Sequence, residues 1–95
     1  MNTVVLDGAE MVSKQRAHDY LAEKLGLPSY YGHNLDALWD ALSSINVPLN
    51  VRLVNEHMLG CNLNSDNYGR KLLQVFLDAA AFNPCFHFEI LSQQT

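Results

Sequence analysis

The sequence predicts a small α/β domain in which a three-stranded parallel sheet packs with about three main helices. Three observations lead there. Short β-branched, apolar or alternating runs recur at Thr3 to Leu6, Leu49 to Leu53 and Cys85 to Leu91, the signature of strands. The segments between them carry apolar residues at helical spacing. The resulting order, strand, helix, helix, strand, helix, strand, puts a helical crossover between successive strands, which favours parallel pairing with right-handed connections. The chain has 95 residues, which suits one such domain over residues 1–95, burying a little over ~60% of the unfolded surface. Its 48% hydrophobic content is that of a globular chain rather than a disordered one.

The first strand is expected to stop at the turn signal Asp7-Gly8. Ser13 is placed to cap a helix from Lys14, on which Ala17, Tyr20, Leu21 and Leu25 make one apolar stripe. Gly26 then suits the left-handed position that ends a helix, and Pro28 prevents its resumption. In the second helix, capped by His33 or Asn34, the apolar positions are Leu35, Leu38, Trp39 and Leu42. These lie at i, i+3, i+4 and i+7, so they share the side that faces a core. The second strand, Leu49-Asn50-Val51-Arg52-Leu53, alternates strictly. Asn55 to Ser65, rich in asparagine, reads as loop with room for a helical turn. Ser65 or Asp66 is the expected cap of the third helix. Tyr68, Leu72, Val75, Phe76, Ala79 and Ala80 form that helix's inner face, and Asn83-Pro84 ends it. In the last strand Phe86, Phe88 and Ile90 share one face and His87 and Glu89 the other, before a polar, frayed tail from Ser92 to Thr95.

Charge and cysteines narrow the functional classes. A net charge of −4 argues against nucleic-acid binding, which rests on Lys and Arg at phosphates, and suits a basic protein partner. The start, Met-Asn-Thr-Val-Val-Leu-Asp, lacks the basic and apolar regions of a secretory signal, and no apolar run approaches the ~20 residues of a membrane span. A cytoplasmic protein with no membrane association is therefore expected. Cys61 and Cys85 lack metal-ligand spacing and lack a neighbouring histidine that would activate a thiol. They read as free thiols, with Cys85 an inert, buried one at the start of a strand. His18, His33, His57 and His87 are dispersed and read as surface or partly satisfied residues. No glycine-rich phosphate loop occurs. No enzyme activity, metal or cofactor is expected.

One run stands apart: Tyr30-Tyr-Gly-His-Asn-Leu-Asp-Ala-Leu-Trp-Asp-Ala-Leu-Ser-Ser44. It places Asp36 and Asp40 one helical turn apart, beside Trp39, with no Lys or Arg between Lys24 and Arg52. Like charges at i and i+4 cost a helix roughly 0.2–0.5 kcal/mol. Asp36, in the first turn, gains ~0.3–1 kcal/mol from the helix dipole, whereas Asp40 gains much less. Two carboxylates on one short helix cannot easily flank a substrate from opposite sides, which disfavours glycoside-type acid–base chemistry. Tyr and Trp beside uncompensated acids match the composition of an interface hot spot, although Trp39 also belongs to the core stripe.

From Leu27-Pro-Ser-Tyr-Tyr-Gly-His-Asn-Leu-Asp-Ala-Leu-Trp-Asp, and again at Leu73-Gln-Val-Phe and the Phe86-to-Leu91 strand, the chain closely resembles the barstar family of intracellular ribonuclease inhibitors. The resemblance is weakest between Ser43 and Ser65. It implies the α/β fold read above, no catalysis, and a basic, barnase-like ribonuclease as protein partner, with a monomer when free. It also implies that the second helix and the loop before it enter the nuclease active site. Tyr30, Tyr31, Gly32, Asn34, Leu35, Asp36, Trp39, Asp40, Ser43 and Asp78 would then meet the partner. Asp40 matches the family's central acid, which takes the place of a substrate phosphate. Four features depart from the best-known pattern. Ser43 stands for threonine, Asp78 for glutamate, Ser44-Ile45 for a Gly-Trp pair and His33 for an acid. They leave open a second expectation, an interaction or regulatory domain of this fold, or an immunity protein with a different nuclease partner.

Overall fold

A computed structural model describes residues 2–63 and 65–91. Strand β1 (Asn2–Asp7) leads through a 3-10 turn at Gly8–Glu10 into α1 (Lys14–Leu25), followed by α2 (Leu35–Ser43) and β2 (Leu49–Val54). A short α3 (His57–Asn62), a 3-10 turn at Ser65–Asn67, the long α4 (Tyr68–Phe82) and β3 (Phe86–Ile90) complete the chain. The sheet order is β1-β2-β3, both pairs parallel. This is the α/β architecture expected from the sequence.

The helices cover one face of the sheet. Leu6, Val51, Leu53 and Phe86 point into a core completed by Ala17 and Leu21 of α1, Leu38 and Leu42 of α2, and Leu72, Phe76 and Ala79 of α4. Alternation leaves Val5, Arg52 and Glu89, which are in register, on the open face. There Arg52 Nε meets Glu89 Oε1 at 2.6 Å with both side chains about half exposed, a pair worth ~0–1 kcal/mol. Phe76 stacks on Phe88 with ring centroids 5.0 Å apart, fixing α4 over β3.

Local signals explain several element ends. Ser13 Oγ accepts from the Arg16 N–H, and Gly26 adopts φ +65° at the end of α1. Asp7 Oδ1 accepts from the Ala9 N–H and from Asn55 Nδ2, which ties the end of β1 to the loop after β2.

Several expectations need correction. The segment read as loop with a helical turn holds the longer helix α3, with Leu59 on it and Leu63 just after it buried; glycine and asparagine propensity was overridden by that burial. Asp66 does not cap α4: both Asp66 and Asn67 are left-handed, and Asn67, the cap residue, makes no side-chain bond. Cys85 precedes β3 and is half-buried, and Cys61 lies exposed on α3. His18 is a fully buried residue rather than a surface one. The Ser65 side chain and the tail at 92–95 lie outside the described residues. Among the described residues, no helix is long and apolar enough to cross a membrane.

Candidate protein-binding site

Helix α2 owes its register to Asn34 and its seat to leucines. Asn34 Oδ1 accepts from the Ala37 N–H at 2.7 Å, while its Nδ2 donates to the Gly32 carbonyl, so one residue caps the helix and folds the turn before it. Leu38 and Leu42 are fully buried, and Leu35 and Trp39 are partly so. With that side fixed, 100° per residue turns Asp36 and Asp40 outward, and both are exposed. The ion pairs among the described residues are His33–Asp19 and Arg52–Glu89; neither involves Asp36 or Asp40. Ser43 Oγ–H donates to the Asp40 carbonyl at 3.3 Å.

The two tyrosines before α2 point in opposite directions. Tyr30 is 87% exposed, and Tyr31 is buried. Tyr30 stands over a groove of about 600 Å³ that runs between the Leu27–Gly32 loop and α2. Its α2 wall is Ala37, Asp40, Ala41 and Ser44, one stripe at i, i+3, i+4 and i+7. Small side chains on either side leave the Asp40 carboxylate as the acidic group in a largely apolar trough.

Tyr31 instead anchors the loop to the core. His18 of α1 lies between two phenols: Nδ1 is 2.6 Å from the Tyr31 hydroxyl and Nε2 is 2.6 Å from that of Tyr68. A neutral ring satisfies both, donating to one oxygen and accepting from the other. Burial, then the neighbouring His33, lower the His18 pKa below 6.5; Asp19 opposes them more weakly. Burial, and then Tyr68, raise the Tyr31 pKa far above 10.0. His33, with φ 54°, places Nδ1 against the Tyr31 carbonyl and Nε2 against Asp19 Oδ1. Both partners are acceptors, so the two bonds coexist only on a doubly protonated ring.

On the far side of α2, Trp39 packs against Phe82 with ring centroids 5.5 Å apart and planes at 50°. Asn83, buried just beyond α4, donates through Nδ2 to the carbonyls of Leu42, Ser43 and Ile45. It thereby satisfies the end of α2, which has no basic residue in its last turn. Asp78 is exposed on α4, its Oδ1 accepting from Gln74.

The expected residues thus divide by position. Tyr30, Asp36 and Asp40 are exposed on or beside α2, Gly32 and Asn34 shape the turn, Leu35 and Trp39 seat the helix, and Tyr31 faces inward. Asp78 enters from another helix. Sequence reasoning missed His18, Phe82 and Asn83. The position of His18 three residues before Leu21 on the buried stripe was the available signal for it. Asn83 was legible only as a helix terminator.

The β1-α1-α2-β2-α4-β3 framework defines a small α/β domain with a three-stranded parallel sheet that presents an acidic, aromatic-flanked helix. Comparison with known proteins places that domain in a family. The family model described as Barstar (barnase inhibitor) matches residues 1–90. A Bacillus subtilis (strain 168) protein named "Putative ribonuclease inhibitor YrdF" is 38% identical over 80 residues, spanning 83% of this chain and 86% of the relative. The chain belongs to the barstar family.

Proposed function

We propose that this chain inhibits a barnase-type, guanyl-specific ribonuclease by seating α2 and the preceding loop in the enzyme's basic active site. The observation that carries this reading is the exposed Asp40 carboxylate, which forms no ion pair among the described residues and is held in a groove by a helix that Asn34 caps and two leucines anchor. A ribonuclease must stabilise a phosphate anion, so its cleft is built from cations. A carboxylate on a rigid helix occupies that position and cannot be cleaved. Because the helix is already ordered, little further entropy is lost on binding. Tyr30 above the groove offers a ring face to an inserted cationic side chain. Asp36, one turn away, strengthens the field that steers encounter. The protein then acts as a stoichiometric ligand in the cytoplasm, monomeric when free, with no catalytic step or cofactor.

A specific observation favours a second reading, an immunity or regulatory domain with a different nuclease partner. Ser44, which lines the groove, departs together with Ile45 from the family's Gly-Trp pair, so the groove offers a different wall. One experiment separates the readings. Inhibition of a panel of small basic microbial ribonucleases and toxin nuclease domains is titrated with wild-type protein, Asp40→Ala and Asp19→Ala. The proposal expects a barnase-type enzyme to be inhibited, Asp40→Ala to weaken binding on the order of a hundredfold, and Asp19→Ala to change it little. Equal losses in the two variants would rule out the α2 interface. Inhibition confined to another nuclease class would select the second reading.

A further inference from the structure

We infer that the interface continues past α2 onto the end of α4. There Trp39 and Phe82 form an aromatic shelf that takes an apolar side chain from the lip of the nuclease cleft. This rests on the reading of α2 as the inhibitory helix and adds a chemical class of contact to it.

Phe82 is 65% exposed, second to Tyr30 among the large apolar side chains of the described residues. A phenylalanine this exposed gives up most of the burial that normally places it inside. It is also not adrift. Its ring lies against Trp39, and the next residue, Asn83, holds three carbonyls of the α2 end and the segment after it. That clamp makes Phe82 rigid relative to α2. An aromatic group that is exposed, fixed and backed by a second aromatic is the preorganised kind of anchor on which binding energy concentrates.

The helical angles set the layout. Relative to Asp40, the groove residues Ala37, Ala41 and Ser44 lie on one flank of α2, and Asp36, Ser43 and Trp39 lie on the other, toward α4. Asp40 is therefore a ridge with a groove on one side and the Trp39–Phe82 shelf on the other. Asp78, four residues before Phe82 on α4, shares the face of Phe82 and is exposed.

Charge decides the occupant. The shelf is bordered by Asp36, Asp40 and Asp78 and belongs to a chain of net charge −4. A second copy would bring those acids against their like, which disfavours self-association. A basic nuclease already held at Asp40 faces no such cost, and its nearest uncharged lip residue meets the shelf. Phe82, an uncharged position among acids, is thus where this inhibitor selects among nucleases with similar cationic clefts.

The test uses catalytically disabled versions of the same microbial ribonucleases and takes the one wild-type protein binds most tightly. Dissociation constants are measured at low and high salt for wild type, Phe82→Leu, Phe82→Ala, Phe82→Glu and Asp40→Ala, with Val12→Ala as an exposed apolar control. The expectation is near-wild-type binding for Phe82→Leu, a roughly tenfold loss for Phe82→Ala that salt does not change, and a larger loss for Phe82→Glu. Asp40→Ala should instead flatten the salt dependence. Tighter binding by Phe82→Glu would overturn the inference by showing a cationic lip, and unchanged binding by Phe82→Ala would overturn it outright; both leave Asp40 as anchor intact. Loss of Asp40 sensitivity with Phe82 sensitivity retained would overturn the α2 reading instead. Sedimentation showing a dimer that Phe82→Glu dissociates would assign the shelf to self-association and also overturn the inference.

Discussion

The Tyr31 hydroxyl lies 2.6 Å from Nδ1 of His18, thirteen residues earlier in the chain, and this bond fixes the inward half of the Tyr30-Tyr31 pair. With Tyr31 drawn to α1, Tyr30 is turned over the groove beside Asp40. A buried imidazole therefore positions a surface that it never touches.

Removing that imidazole has a predictable cost. In His18→Phe the Tyr31 and Tyr68 hydroxyls lose their partner within the fold, and an unsatisfied buried polar group costs about 1–3 kcal/mol. Denaturant unfolding at pH 7 should show a loss in that range. An unchanged midpoint would mean that the phenols find other partners.

The same residue makes stability depend on pH. His18 titrates below 6.5 when folded and near 6.5 when unfolded, so between those values the unfolded chain binds more protons. Stability from this group is complete above pH 6.5 and falls as acid takes the pH down through the lowered folded value. Unfolding free energies measured between pH 7.5 and about 4.5 should decline for wild type, and the decline should be shallower in His18→Gln. Parallel profiles would remove His18 as the cause.

The Asn83 amide donates to three carbonyl acceptors, which makes its loss larger than that of a surface amide. Asn83→Ala leaves the Leu42, Ser43 and Ile45 carbonyls without their shared donor. A cost of about 2 kcal/mol is expected, and amide hydrogen exchange should quicken in the last turn of α2. Unaltered exchange there would show that the turn is held by packing alone.

Gly69 reverses the usual helix rule. Replacing a helical glycine with alanine gains up to about 1 kcal/mol where space allows. Here the new Cβ would lie 2.5 Å from the Leu59 carbonyl oxygen and 2.8 Å from its carbon. Backbone cannot swing aside as a side chain would, so α3 or α4 must shift at roughly 1–3 kcal/mol. The expected net effect of Gly69→Ala is a lower melting temperature, and a higher one would refute the close approach of these helices.

If α2 meets a nuclease as proposed, neutralising it should act on encounter. The Asp36→Asn, Asp40→Asn double variant should associate about tenfold more slowly at low salt, and salt should slow it much less than wild type. Stopped-flow association at several ionic strengths measures both. Equal salt slopes would mean that steering arises elsewhere on the chain.

Elements whose cause is local were legible in the chain alone. Ser13, Gly26 and Asn34 end or start helices through bonds to residues a few positions away, and the period of Leu35, Leu38 and Leu42 decides which way Asp36 and Asp40 face. The run from Tyr30 to Asp40 carried the family resemblance for the same reason, because its residues lie on one turn and one helix. The partners of His18, the opposite directions of Tyr30 and Tyr31, the grip of Asn83 on α2 and the seat of Phe82 against Trp39 emerge only from the packed fold. Each of these joins segments from thirteen to fifty residues apart. Neither periodicity nor propensity encodes such a pairing, which is settled when the helices pack on one face of the sheet and bring those side chains within bonding distance.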